Sequence, residues 1–401
     1  MDKMIKITFL FVFFVSSTRA QSIFDVTKYG AKAGGSDINS ALMSTWKKAC
    51  ASTSPSKVLI PSGTFLLSPV TLAGPCKAAI EVRVQGTLKA LSGVGEMTKD
   101  GGWIAFQQIK GFTLSGGGIF DGQGAAAWGS CDNNNCKQLA INLRFDSITN
   151  GLVQDVTSLN SKQFHVNLLL CKNFTIRHLT VTAPADSKNT DGIHIGRSRG
   201  IKITDSKIGT GDDCISIGDG SQNVSITRVS CGPGHGISVG SLGKYENEEP
   251  VVGISVKGCK LTNTDNGLRI KTWPASFANS ASNMHFEDIT MVNVSNPIII
   301  DQAYCPYGDC NAKAPSRVKI SNVGFENIRG TSATPVGVKL DCSNSIPCEG
   351  VELVNINLNY IGKKGSIKSE CSNVKPKVIG VYNALACDST TSTTSKAPTK
   401  S

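Results

Sequence analysis

A pair of apolar residues two positions apart keeps returning along this chain of 401 residues. The pairs are Val82/Val84, Phe112/Leu114, Phe174/Ile176, Ile201/Ile203, Val224/Ile226, Ile254/Val256, Met284/Phe286, Val318/Ile320 and Val351/Leu353. A weaker copy, Leu152 with Val156, stands between the second and the third. With Leu152 included, the first members step by 30, 40, 22, 27, 23, 30, 30, 34 and 33 residues. Alternation with period two belongs to strands, and self-similarity at roughly 20 to 50 residues belongs to stacked units. The Leu-x-x-Leu-x-Leu framework of a leucine-rich horseshoe is absent, and propeller blades are longer, at about 40 residues or more. The expected fold is all-β, a right-handed parallel β-helix of about ten turns. Asn or Gly flanks many of the runs, as in Lys172-Asn173-Phe174 and Gln222-Asn223-Val224. Such residues tolerate the left-handed backbone that tight corners need. The 41 glycines and 6% aromatic content suit many corners around a narrow interior.

One continuous core lets residues 21–387 form a single domain, although the length exceeds that of an ordinary globular unit. Residues 27–51 are predicted to include a helix that caps the N-terminal end. Ile38, Leu42 and Trp46 fall at helical spacing there, with Ser36 as its cap. Lys3 and Lys6 precede an apolar run, Ile7 to Val15, and a small-residue exit ends at Ala20. This is the plan of a secretory signal peptide over residues 1–20, too short to span a bilayer. Residues 388–401 are rich in Ser, Thr and Lys and are expected to be a disordered tail.

The 14 cysteines fit a secreted chain. Local spacing predicts the pairs Cys131–Cys136, Cys305–Cys310, Cys342–Cys348 and Cys371–Cys387, and we also pair Cys50 with Cys76 and Cys214 with Cys231. Cys171 and Cys259, inside apolar runs, remain as buried thiols. No pair has the two-residue gap of a zinc knuckle. Asn173, Asn223 and Asn293 stand in sequons that permit N-glycans. The formal net charge is +11, and loss of Lys3, Lys6, Arg19 and Asp2 with the signal leaves +9. A basic secreted protein suits an anionic partner. No dense Lys/Arg cluster points to nucleic acid, and no membrane contact is expected once the signal is removed. The expected partner is an acidic polysaccharide.

Four motifs carry the chemistry: Asn189-Thr190-Asp191-Gly192, Gly211-Asp212-Asp213, Gly234-His235-Gly236 and Arg269-Ile270-Lys271. The steps Asp191 to Asp212, Asp212 to His235 and His235 to Arg269 are 21, 23 and 34 residues. If each step is about one coil, the motifs stack as a column on one face, with neighbouring coils about 4.8 Å apart. Carboxylates this close cannot all ionise, so one pKa should rise. A neutral acid beside ionised ones is what glycoside hydrolysis requires. Glycines around His235 leave room for substrate or another side chain, and its imidazole is placed to hold a carboxyl group. Arg269 and Lys271, two apart, project from one strand face and suit a sugar carboxylate. His165, His178 and His285 are read as structural.

These motifs closely resemble the polygalacturonase family of glycoside hydrolases. The most specific stretches are Gly209-Thr210-Gly211-Asp212-Asp213-Cys214-Ile215-Ser216-Ile217 and Cys231-Gly232-Pro233-Gly234-His235-Gly236-Ile237-Ser238-Val239-Gly240-Ser241-Leu242-Gly243. Arg269-Ile270-Lys271-Thr272-Trp273-Pro274 is most similar to the plant pollen exopolygalacturonases of that family. The resemblance covers the chain from Phe24-Asp25-Val26 to the last cysteine, and implies a pectin-lyase-like solenoid. It implies Asp212 as general acid, Asp191 and Asp213 activating water, and His235 supporting the acid. It further implies Asn189, Arg269, Lys271 and Tyr304 at the substrate. Activity would be inverting hydrolysis of polygalacturonate, exo-acting, by a monomer secreted to the cell wall, without metal or other cofactor. The alternatives are an endo-acting enzyme, a calcium-dependent pectate lyase on the same fold, and a catalytically dead wall-binding solenoid.

Overall fold

The structure, a computed structural model, describes residues 21–387 apart from 133, 134, 137, 138, 307, 309, 312, 313, 364 and 382–384. The expected signal segment 1–20 and tail 388–401 lie outside the described residues. Each coil presents three strands in turn, and each strand pairs in parallel with its counterpart on the next coil. The first face runs from Ser22–Asp25 through Ser56–Ile60, Ile80–Val84 and Lys110–Ser115 to Glu349–Val354 and Lys377–Ile379. The second runs from Thr64–Leu67 through Thr87–Ala90 and Ile119–Asp121 to Asn357–Tyr360. The third face holds eleven strands among the described residues, from Val70–Ala73 to Lys368–Ser372. The expected right-handed parallel β-helix is therefore present, with one coil more than the sequence repeat counted.

The apolar pairs form the core because their side chains all point into the stack. Phe174, Ile201, Val224, Ile254, Met284, Val323 and Val351 occupy one register row. All are at most 1% exposed, and burial of each such side chain stabilises by about 1.5–3 kcal/mol. Three of the expected pairs are out of register. Val82 pairs with Leu114, not Phe112. The weak copy is Gly151 and Val153 rather than Leu152 and Val156. Gly151 is needed because a Cβ there would lie 2.2 Å from the Phe174 ring. Val323/Phe325 takes the place assigned to Val318/Ile320, which lie earlier on the same long strand, Val318–Ser332.

Two of the corners are rows of left-handed residues. Gly111, Asn150, Asn173, Gly200, Asn223, Gly253, Asn283, Asn322 and Gly350 follow one another from coil to coil, with φ between 53° and 76°. Asp155, His178, Asp205, Arg228, Gly258, Asp288, Asn327, Asn355 and Gly380 form a second row, with φ between 50° and 63°. His178 is thus a corner residue, bonded to Asp155 at 3.0 Å. His285 lies on the outer side of the first face, beside Gly324. The sequon residues Asn173, Asn223 and Asn293 are all exposed.

A helix, α1 (Asn39–Cys50), covers the N-terminal end, burying Ile38, Leu42 and Trp46. Ser36 does not cap it. Asp37 Oδ1 accepts the Asn39 and Ser68 N–H groups, both at 3.0 Å, and so ties the helix start to the first coil. Cys50–Cys76, Cys214–Cys231, Cys305–Cys310, Cys342–Cys348 and Cys371–Cys387 are bonded as expected. Cys171 and Cys259 are buried thiols. The side chains of Cys131 and Cys136 fall outside the described set. Among the described residues, no helix is long and apolar enough to cross a membrane.

Candidate active site

The third face builds the floor of the site. Ile193, Ile195, Ile215, Ile217, Ile237, Val239, Leu268 and Ile270 turn inward and are fully buried. The residues between them turn outward, so His194, Ser216, Ser238 and Arg269 stand on four successive coils. The acids lie at the corner that enters these strands. Gly192 N–H donates to Asp213 O at 2.9 Å, and Cys214 N–H to Gly236 O at 2.8 Å. Asp191, Asp213 and His235 are therefore rung partners, and Asp212 sits one residue before the row. The single column expected from the sequence steps is in fact two rows. Arg269 is in register with Ser238, three residues beyond His235, so the cations lie farther along the strand than the acids.

Hydroxyls and glycines shape the acidic corner. Thr190 Oγ1 lies 2.6 Å from Thr210 Oγ1 and 2.7 Å from Ser187 Oγ, and it accepts the Gly211 N–H at 3.1 Å. The glycines beside His235 leave room for the neighbouring coil rather than for substrate. A Cβ on Gly236 would lie 2.1 Å from Asn266 O, and one on Gly234 would lie 2.7 Å from Asp212 O.

Asp213 is the most heavily engaged carboxylate. Its Oδ1 accepts from Ser238 Oγ at 2.7 Å and Arg269 Nη2 at 2.9 Å, and its Oδ2 from Lys271 Nζ at 2.8 Å. Burial alone would raise its pKa, but Lys271 and Arg269 outweigh that and hold it below the ordinary range. Asp191 accepts from Ser216 Oγ at 2.6 Å. Burial, then the charges of Asp212 and Asp213, push its pKa well above the ordinary value. The upward shift expected for one carboxyl of the cluster falls on Asp191. Asp212 Oδ1 accepts the Asp213 N–H at 2.7 Å and lies 3.1 Å from His235 Nδ1. That hydrogen bond raises the His235 pKa, and Asp265 stands on the ring's other side, 3.3 Å from Nε2.

Tyr304 has its ring 5.8 Å from the Arg269 guanidinium and 5.2 Å from Lys271 Nζ. Asn189 takes a left-handed φ of 54° just before Asp191. Burial drives His165 down to about 3, leaving a neutral ring on Ser158 Oγ at 2.8 Å, while its backbone N–H holds Asp191 O. Three contributors escaped the sequence reading: Ser216, Ser238 and His194. Ser216 and Ser238 are polar positions inside the runs Ile215-Ser216-Ile217 and Ile237-Ser238-Val239, and period-two alternation places both on the outer face. His194 Nδ1 lies 2.8 Å from Ser216 Oγ, its ring stacks on Phe164, and burial lowers its pKa to about 4. Ligand atoms of Asp212, Asp213 and His235 lie within 4.8 Å of one another. A divalent cation there would face Arg269 and Lys271, which already occupy both oxygens of Asp213.

Residues 50–387 match the family described as Glycosyl hydrolases family 28. An exopolygalacturonase of Platanus acerifolia is 54% identical over 90% of this chain and 96% of its own length. A polygalacturonase of Nicotiana tabacum is 50% identical over 98% of this chain and its full length. Among solved structures, the endo-xylogalacturonan hydrolase of Aspergillus tubingensis superposes with a TM-score of 0.76 at 23% identity, over 91% of this chain and 98% of the other. That last likeness concerns the fold.

Proposed function

The chain belongs to glycosyl hydrolase family 28, and from that membership we propose that it hydrolyses α-1,4 linkages of de-esterified pectin. It acts from the non-reducing chain end, with inversion, and releases galacturonate. The observation that carries this reading is the division of labour among the carboxyls. Lys271 and Arg269 favour the ionised form of Asp213, while burial and the charges of Asp212 and Asp213 favour the protonated form of Asp191. One ionised base and one proton-bearing acid are the pair that inverting hydrolysis uses.

Asp213 draws the proton from the attacking water. The retained proton reaches the leaving oxygen through Asp212, whose side chain is 21% exposed where that of Asp213 is 2% exposed. When Asp212 carries it, Asp191 is ionised and completes the cradle around the water. His235 orients Asp212 and, when protonated, favours its ionised form after transfer. Arg269, Lys271 and Tyr304, with Asn189 at the corner, bind the galacturonate, whose carboxylate shares the two cations with Asp213. The expected setting is the cell wall, reached by secretion, with the enzyme acting as a monomer.

The test is digestion of polygalacturonate followed by proton NMR of the first-formed sugar. Wild-type enzyme should release monomeric galacturonate with inverted configuration. Asp212→Asn should lose about 100- to 10,000-fold in turnover while still binding the polymer. A retained anomer, or a variant with more than half the wild-type rate, refutes the assignment.

A further inference from the structure

A line of cations and rings leads away from the acids across the floor of the site. Tyr304 lies against Arg269 and Lys271, and its ring meets Trp273 edge-on at 5.7 Å. Lys244 Nζ sits 4.7 Å from the Trp273 ring and 5.7 Å from that of Tyr245. Asp213, Lys271, Tyr304, Trp273 and Lys244 thus touch one another in sequence, from a buried carboxylate to the surface. Lys271 is paired with Asp213, whereas Lys244 is exposed and, among the described residues, has no carboxylate partner. Tyr245 is 65% exposed.

This ledge is fixed before any ligand arrives. The Glu248 carboxylate accepts the backbone N–H groups of Gly243, Lys244 and Tyr245 at 2.5, 3.0 and 3.1 Å. Trp273 donates its indole N–H to Ser241 Oγ and its backbone N–H to Leu242 O, each at 2.9 Å. Groups already held in place lose little freedom on binding. The ledge stands at the far ends of the strands Ile237–Leu242 and Asn266–Thr272, while the acids stand before their starts. Lys271, near the end of the second strand, still reaches Asp213 at 2.8 Å, whereas Tyr304 and Trp273 lie in line between Lys271 and Lys244. A sugar whose carboxylate lies on Arg269 and Lys271 therefore leaves Lys244 to a later unit of the same chain.

We propose that Lys244, with Trp273 and Tyr245, forms a second uronate-binding subsite, at least one sugar removed from the scissile bond. The ammonium takes the sugar carboxylate and the exposed ring takes the apolar face of the pyranose. This rests on the functional reading above and adds to it a determinant of chain-length preference.

The experiment measures kcat/KM on digalacturonate and hexagalacturonate for wild type, Lys244→Met and Lys244→Arg. Methionine keeps an unbranched stem and removes the charge. For Lys244→Met, the hexamer-to-dimer ratio of kcat/KM should fall roughly three- to tenfold, and added salt should lower the wild-type ratio but not the variant's. Lys244→Arg should restore most of the ratio. An unchanged ratio in Lys244→Met, with wild type active on both oligomers, overturns the subsite alone. A wild type inert on every oligomer overturns the functional reading and the subsite with it. A poorly folded variant would lower both rates together, so the ratio separates folding from binding.

Discussion

Asp213 carries two cations on one carboxylate, with side chains 2%, 11% and 8% exposed for Asp213, Arg269 and Lys271. Removing one partner of such a buried pair ordinarily costs about 3–5 kcal/mol. The arrangement also sets the working pH. A depressed Asp213 stays ionised below the ordinary Asp value of about 3.9, and activity is lost only as pH falls through its lowered pKa. Asp191, raised by burial and its neighbours, keeps a proton above that value, and activity is lost as pH rises through the raised pKa. Lys271 contributes the larger of the two attractions on Asp213. In Lys271→Met the acid limb of the kcat/KM profile should therefore move to higher pH. An unmoved acid limb would show that Lys271 does not poise this base. The sequence placed Arg269 and Lys271 on one strand face, because i, i+2 spacing suffices for that. It did not show their partner. Ser238 stands opposite Arg269 only because the coil between them is longer than the two before it, which step Ile193 to Ile215 to Ile237.

At the scale of the corner and the strand, the left-handed rows explain why Asn and Gly punctuate the chain. An L residue with a Cβ in that conformation costs roughly 1–2 kcal/mol unless a short polar side chain compensates. Asn283 compensates through the rung above, where Asn322 Nδ2 donates to its Oδ1 at 2.7 Å. The side chain is exposed and packs into no core. Asn283→Ala should lower stability by about 1–2 kcal/mol. Asn283→Gly should cost less, since glycine enters this region freely. Urea midpoints of the two variants decide it, and an alanine variant at least as stable as the glycine one would refute the account. The strands were legible because alternation needs only local sequence. Their register was not, since it depends on where each corner falls. Phe325 was missed because Val318/Ile320, upstream on the same continuous strand, shows the same alternation. Gly151 was missed because the group that fills its place, Phe174, comes from the next coil.

For the molecule as a whole, the ends of the stack are the vulnerable points. Interior coils bury both edges of every strand. In the first coil Ser22–Asp25 covers Ser56–Ile60, but Thr64–Leu67 and Val70–Ala73 have a strand neighbour on one side only, and an open edge invites pairing with another chain. Helix α1 closes that end. Trp46 is the centre of the closure: 3% exposed, with its indole N–H on Ala73 O at 3.0 Å at the end of the third face's first strand. Trp46→Ala removes both the packing and the bond, and such a truncation costs about 3–5 kcal/mol. The loss is predicted to fall on the first coils, far along the stack from Asp212. The variant should then show two signs together. Its urea midpoint should fall, and it should elute as larger species than wild type on a sizing column at equal concentration. Its kcat on polygalacturonate, measured on the fraction that elutes with wild type, should stay within about twofold of wild type, as expected for sites far apart with no shared partners. Lys47→Ala, on the exposed side of the same helix, serves as the control and should change neither property. If Trp46→Ala unfolds at a lower midpoint yet elutes as wild type does, the helix supplies packing but does not protect the strand edge.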